Sequence, residues 1–221
     1  MTISWDQRYA APGYVYGTEP NAFVAAEAGR IPAGPVLCLA EGEGRNAVHL
    51  AGLGHAVTAL DQSPVGLAKA TRLAAERGVA LTTVATDIAA YQIAPATWSG
   101  IVVTFGHFPP ALRRAVHAQV VAGLRPGGVF ILEAYTPAQL AFGTGGPKDV
   151  TLLMTLDALR AELTGLDLLQ ARECERDVIE GIGHTGRAAV VQVIARKPPA
   201  GIKTPAGKVW LTLGVPRRSK V

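Results

Sequence analysis

From Pro35 onward, short apolar or β-branched runs alternate with helical stretches, and no other feature of this chain restricts its fold as strongly. "PVLCLA", "HAVTALD", "ALTTVATD", "SGIVVTFG" and "GGVFILEAY" read as five successive strands. A helix beginning near Arg45 sets Ala47, Leu50, Ala51 and Gly54 on one face. The next opens with Ser63 as N-cap and Pro64 in the first turn. A third starts at Pro109 and Pro110, aligns Leu112, Val116 and Val120, and is expected to stop at a glycine C-cap, Gly123. Such alternation implies parallel neighbours joined by right-handed crossovers. Beyond Thr136 the rhythm changes. A glycine-rich loop, "AFGTGGPKD", precedes a helix near 155–164, and two strands, "LDLLQARECERDVIEG" and "GRAAVVQVIARK", then follow with no room for a helix between them. They must pair as an antiparallel hairpin. The expectation is an α/β, doubly wound, Rossmann-like fold with a seven-stranded, mostly parallel sheet and a C-terminal antiparallel hairpin.

At 221 residues and 49% hydrophobic content, one domain is expected. Residues 1–34, with "PGYVYGT" between two short helical stretches, form its N-terminal cap segment, and residues 35–197 its body. Residues 198–221 read as a basic, poorly ordered tail or an expression remnant. The pI of about 9.3 invites a nucleic-acid reading. Five of the 21 basic residues lie in that tail, which has no acid, so residues 1–197 carry 16 basic against 17 acidic groups. The body is not basic, which argues against a nucleic-acid partner. Two cysteines, Cys38 and Cys174, make neither a disulfide framework nor a thiolate cluster, and no metal is expected. No apolar stretch reaches the roughly 20 residues of a membrane span, and the first ten residues lack a signal-peptide layout. A cytoplasmic protein without membrane contact is expected, with oligomeric state open and a homodimer included.

"LCLAEGEGRNAV" turns a strand tightly into a helix. Gly42 and Gly44 let backbone approach a ligand, and the helix start offers unpaired N–H groups. Asp61 ends the second strand, where a carboxylate accepts the hydroxyls of an adenosine-type ribose. "GEGRNA" also satisfies the dinucleotide pattern G-x-G-x-x-A, which keeps an NAD-dependent oxidoreductase as an alternative, beside a nucleotide-binding module without turnover. Three features favour S-adenosylmethionine over NAD: Asp87 after the third strand, positioned for an adenine amino group; "LRPGG" as the turn into the fifth strand; and the closing antiparallel hairpin.

With these features the chain resembles the class I S-adenosylmethionine-dependent methyltransferases, in particular the tellurite-resistance and thiopurine S-methyltransferase group. The matching stretches are "WDQRYAAPGYVYGTEPNAF", "GEGRNA", "ALDQS", "TDI", "LRPGGVFILEAYTPAQL", "GTGGP" and "EGIGHTG". The resemblance implies a cofactor site of Glu41, Gly42, Glu43, Gly44, Asn46, Asp61, Gln62, Asp87, Ile88, Phe105 and Gly106, with S-adenosylhomocysteine as product. Where the group has an acid and a glycine, this chain has Cys38 and Ala40, so Glu41 is expected to meet the methionine ammonium. The resemblance also implies a small methyl acceptor carrying sulfur, selenium or tellurium.

Ligands of open α/β sheets lie at the carboxyl ends of the strands. His107, Glu133 and Tyr135 follow strands four and five, Tyr16 comes from the cap and His184 from the hairpin turn. These five are the catalytic candidates, His107 first as a base. Four of them have a plainer reading: His107 capping the Pro109 helix, Glu133 as a hydrogen-bonded buried acid, His184 as a solvated turn residue and Tyr16 as packing.

Overall fold

Alternate side chains of Pro35–Leu39 serve opposite faces of one sheet, and this short strand, β1, is where the two layers of the protein meet. Val36 and Cys38 pack with Ala47, Leu50, Ala59 and Leu67 on one side. Leu37 and Leu39 pack with Ile101, Val103, Val116 and Val120 on the other. A strand buried on both faces needs this unbroken apolar run.

The computed structural model describes residues 4–199; apart from Pro198 and Pro199, the basic tail lies outside the described residues. β1 is followed by β2 (Ala56–Asp61), β3 (Thr82–Ala85), β4 (Trp98–Thr104), β5 (Leu124–Tyr135), β6 (Asp167–Glu180) and β7 (His184–Arg196). The sheet order is β3-β2-β1-β4-β5-β7-β6. β1 to β5 pair in parallel, while β7 runs antiparallel to both β5 and β6. The helices are α1 (Trp5–Tyr9), α2 (Ala22–Glu27), α3 (Arg45–Gly52), α4 (Pro64–Glu76), α5 (Pro110–Gly123) and α6 (Leu156–Glu162). None of them is long and apolar enough to cross a membrane. The doubly wound sheet and its closing hairpin are as the sequence implies.

Local expectations needed three corrections. Gly123 does not cap α5 in a left-handed conformation; it is the last helical residue, and a Cβ there would lie 2.5 Å from the Ile93 side chain, so packing requires the glycine. Gly54 lies beyond the end of α3 and is exposed rather than on its buried face. "LRPGG" already belongs to β5, whose pairing with β4 shifts register between Trp98 and Gly100.

Ala40 and Phe105, directly after β1 and β4, adopt φ of 51° and 52°. Left-handed backbone disfavours residues with a Cβ, and such strain concentrates at functional crevices. Ala40 stands where the related group has glycine, so this chain keeps the turn with a residue less suited to it. On the far face, Arg113 and His117 of α5 grip the Glu162 carboxylate of α6, with His117 Nδ1 2.7 Å from Glu162 Oε2. Burial alone would raise Glu162, but these partners hold it at about 2.

Ala40→Gly is expected to raise the free energy of unfolding by about 0.5–1 kcal/mol in urea denaturation, strain relief outweighing the added chain entropy. Glu162 stabilises the fold above its ordinary carboxyl value of 4.5, and that contribution is lost as pH falls through about 2. The melting temperature of the wild type is therefore expected to drop more steeply over that window than that of Glu162→Gln.

Candidate active site

At the carboxyl end of β1 the chain turns through Glu41, Gly42, Glu43 and Gly44 into α3. Glu41 Oε1 accepts from the N–H groups of Asn46 (2.9 Å) and Ala47 (2.7 Å), capping a helix start that would otherwise leave them unpaired. Burial pushes this carboxyl up to about 7, against the Ala47 N–H and the nearby Arg45 guanidinium, which pull it down. Asp61 at the end of β2 is 6% exposed and accepts from Gly42 N and Ser63 N, each at 2.8 Å. Its burial raises its pKa although both backbone bonds oppose the shift. Gln62 beside it is exposed. Past β3, Asp87 is exposed and closes its own turn through Ala89 N, and Ile88 is half-buried against the core.

Three expected cofactor residues have other duties. Glu43 points into the protein: Oε1 accepts from Lys69 Nζ (2.9 Å) and Oε2 from the backbone N–H groups of Val15 and Tyr16. Lys69 also donates to the carbonyls of Ala11 and Gly13, so the pair clamps the N-terminal segment onto α4. Asn46 accepts from Asn21 N and donates to Thr104 Oγ1, binding the segment to α3 and β4. Gly44 makes room for α4, since a Cβ there would lie 2.4 Å from that of Ala70. At Gly42 the neighbour is Tyr9, whose hydroxyl would stand 2.4 Å from an added Cβ. Tyr9 is buried, and α1 is held over the turn by a hydrogen bond from Ser63 Oγ to Asp6.

Glu133, expected among the catalysts, is fully buried and fully committed. It accepts from Arg176 Nε (2.8 Å) and Nη2 (2.5 Å), from Asn21 Nδ2 (2.5 Å) and from Gln192 Nε2 (2.6 Å). Asn21 Nδ2 reaches Glu180 as well, at 2.9 Å. Glu180, which burial alone would raise, is held at about 2 by His184, Arg45 and Arg176 around it. Such a network leaves no lone pair for a substrate proton, and the plainer reading of Glu133 applies.

The other four candidates meet. His107 stacks on Tyr135, with ring centres 5.6 Å apart and planes 5° from parallel. His184 lies 4.5 Å from Tyr16 and 4.6 Å from Phe105, and Phe105 lies 4.6 Å from Tyr135. His107 does not cap α5: its Nδ1 lies 3.0 Å from the Leu152 carbonyl, which places the proton on Nδ1 and leaves Nε2 as an acceptor without a partner. Burial pushes this imidazole down to about 4, the carbonyl pulling the other way. His184 opens β7 and is 8% exposed, so it is no solvated turn residue; burial lowers its pKa against the pull of Glu180. The Tyr135 hydroxyl is raised above its ordinary value by burial and by Glu180 and Glu133. Gly106 sits below, where a Cβ would collide with Val103.

Glycines let three chain segments close over these rings. Gly183 admits the Tyr16 ring, Gly181 admits the backbone at residues 15–17, and Gly145 and Gly146 lie against Tyr135. Gln139 fixes the last loop by donating to Thr144 Oγ1 and the Gly145 carbonyl while accepting from Ala189 N. Lys69, Arg45, Asn21, Arg176 and Gln192 are polar residues around the site that sequence reasoning missed. Lys69 lies mid-helix with no motif around it, whereas Arg45 stood inside "GEGRNA", where a buried charge at a helix start was a readable signal. Among the described residues, no three His, Cys, Asp or Glu side chains converge as a metal site.

Residues 36–128 match the methyltransferase domain family. A search of the curated proteins finds no sequence match. Among solved structures, one described for the conversion of a disulfide bond into a thioacetal group during echinomycin biosynthesis superposes with a TM-score of 0.71 at 22% identity, covering 89% of each chain. TehB from Haemophilus influenzae gives 0.65 at 20% identity over 79% of this chain and 61% of its own. An S-adenosylmethionine-dependent methyltransferase from Clostridium acetobutylicum gives 0.61 at 14% identity over 79% and 89%. The domain match spans the glycine turn, Asp61 and Asp87, and the fold around it is shared with S-adenosylmethionine-dependent methyltransferases of known structure.

Proposed function

We propose that this protein is an S-adenosylmethionine-dependent methyltransferase acting on a small acceptor whose nucleophilic atom is sulfur, selenium or tellurium, as in the tellurite-resistance and thiopurine-type enzymes it resembles. The observation that carries this reading is the state of His107, whose Nε2, like Nδ1 of the other imidazole there, His184, is buried among the rings without a partner in the described residues. At about 4 its imidazole is a weak base. Taking a proton from an alcohol, near the 15.7 of water, would be uphill by about 12 pKa units, or ~16 kcal/mol. From a thiol near 8.5 the gap is about 4–5 units, ~6 kcal/mol. A thiol is also a few per cent ionised at pH 7 without help, and selenium or tellurium anions need no base at all. The site therefore suits acceptors that arrive ionised or nearly so.

The cofactor region fits a cation. Glu41 and Asp61 flank the glycine turn with carboxyls that burial has made reluctant to ionise, and a positively charged ligand relieves that cost. The pyrophosphate of NAD would instead lie beside two carboxylates. On this reading Asp61 holds the ribose, Gln62, Asp87 and Ile88 the adenine end, and Glu41 the methionine ammonium, with Gly42 and Phe105 at close approach. S-adenosylmethionine supplies a methyl group on a sulfonium, already activated for displacement. The faces of Tyr16, Phe105 and Tyr135 favour a cation among them, and the Tyr16 and Tyr135 hydroxyls and His184 orient the acceptor. Holding nucleophile and methyl in line supplies most of the rate. The closed rings exclude bulky acceptors, which favours a small molecule over protein or RNA.

Transfer of an isotopically labelled methyl to a panel of a thiol, hydrogen selenide, tellurite, a catechol and a primary amine is expected to favour the first three by at least about 100-fold. Equal turnover of catechol or amine would overturn the acceptor assignment. His107→Ala is expected to lower kcat/KM for the thiol about 10- to 100-fold at pH 7, with the deficit shrinking above the thiol's own pKa. Because Glu41 must lose its proton to meet an ammonium, affinity for S-adenosylhomocysteine is expected to rise with pH up to about 7 and level off above it. Calorimetry across pH 5.5–8.5 checks this, and Glu41→Gln should bind more weakly with a flat profile.

A further inference from the structure

A cavity of about 330 Å³ runs along the flank of α3, between the N-terminal segment at Thr18 to Pro20 and the residues that follow α4. None of Glu41, Gly42, Asp61, Asp87 or the ring cluster borders it. Arg45, Val48, His49, Gly52 and Leu53 line it at helical spacing, so it follows one face of the helix for roughly 12 Å at 1.5 Å per residue. Val48 and Val79 are apolar wall, and Arg77 and Glu19, both exposed, pair at 2.8 Å beside it. Two nitrogens of the lining residues are short of a partner. Arg45 is 7% exposed and spends Nη2 on Glu180 Oε2 at 2.5 Å, while Nη1 is buried with no acceptor among the described residues. His49 Nε2 is buried and equally unpartnered among them. A buried polar group left unpaired costs more than a typical hydrogen bond contributes. Gly52 ends α3 without a positive φ, and a Cβ there would meet nothing within 4 Å. Neither backbone conformation nor packing therefore calls for a glycine, and a larger residue would narrow the cavity.

We propose that this cavity is a second binding site, for a small organic carboxylate whose charged head meets Arg45 and His49 and whose apolar body lies along Val48, Leu53 and Val79. The inference goes beyond the methyltransferase reading and does not depend on it. A guanidinium with a free nitrogen needs an acceptor, and a carboxylate supplies two. Burial lowers the His49 imidazole against the pull of Glu19, so near pH 7 it is neutral and donates through Nε2 without adding a charge. The Arg77–Glu19 pair is solvated and holds little energy, so it opens readily to admit a charged head, and Arg77 then adds a second cation to the wall. A cationic ligand would face both guanidiniums with Glu19 as its one carboxylate. The volume lies at the lower end of ligand cavities, which suits one ring or a short chain and is too small for a nucleoside cofactor. Through Arg45 the occupant shares a guanidinium with Glu180, whose Oε2 lies 3.9 Å from His184 Nδ1, so the site touches the same network as the hairpin tip.

Hydrocinnamate, a carboxylate on a short apolar body, is the probe, and hydrocinnamamide is its uncharged counterpart. Both are titrated into the full chain and followed by two-dimensional amide NMR, with S-adenosylhomocysteine in excess. Saturable shifts are expected at the backbone N–H groups of residues 45–53 and 77–79, with the amide binding at least about tenfold more weakly. Gly52→Leu places a better helix former in open space and is expected to weaken hydrocinnamate about tenfold or more by filling the cavity. Leu53→Glu, at a position 54% exposed, is expected to weaken it about threefold or more by charge, which keeps the test available if the leucine variant does not fold. Unshifted signals elsewhere in the spectra check that each variant keeps the fold. Equal binding of acid and amide, shifts confined to other parts of the chain, or undiminished binding in both variants would overturn the inference. So would shifts that vanish when S-adenosylhomocysteine is added, since the carboxylate would then occupy the crevice at the glycine turn.

Discussion

Two carboxylates, Glu133 and Glu180, lie almost without solvent near the end of the sheet, and the active-site architecture follows from their need for partners. A buried carboxylate without hydrogen bonds is far costlier than the net gain of any single pair. Here the partners come from everywhere at once: Asn21 from the N-terminal segment, Arg45 from the glycine turn, Arg176 from β6 and Gln192 from β7. Satisfying the two acids therefore brings the cap, the turn and the hairpin together. Glu43 repeats the device on the other side of the turn, where Lys69 and the backbone at Val15 and Tyr16 complete it.

The ring cluster is the apolar counterpart of that network. Tyr16, Phe105, His107, Tyr135 and His184 come from different parts of the chain, and none would be buried by its own element alone. Burial lowers both imidazoles and raises the Tyr135 hydroxyl, so the site offers hydrogen-bond donors, acceptors and aromatic faces, while Glu133 and Glu180 are occupied elsewhere. Its electrostatic division is clear: carboxylates beside the glycine turn, aromatic and imidazole rings beyond it.

The fold was legible because the strands of a doubly wound sheet advertise themselves. Val36 through Leu39, Ile101 through Val103 and Phe130 through Leu132 are apolar on both faces, and the glycine turn and Ser63-Pro64 punctuate the helices between them. The hairpin was legible from the missing crossover between Glu180 and His184. What could not be read was the direction of polar side chains. Glu43 and Asn46 stood in the right motif yet face inward, because an N-terminal segment distant in sequence supplies their partners. Glu133 had the right address for a catalyst, and only the convergence of Arg176, Asn21 and Gln192 assigns it to architecture. Gly44 was read as admitting a ligand and Gly123 as a helix cap, whereas their lack of a side chain serves contact with Ala70 and Ile93. Such contacts depend on tertiary neighbours that no local pattern encodes.

The bond from Asn21 to Glu180 joins residues 159 positions apart, while β1 with β2 and β4 with β5 pair across much shorter spans. Loop-closure entropy sets the order in which such contacts are made. Contacts within the middle of the sheet therefore cost less to close than those between the N-terminal segment and the hairpin. A nascent chain still emerging from the ribosome thus carries the glycine turn and Asp61 before the hairpin that bears Glu180 and His184 has been made.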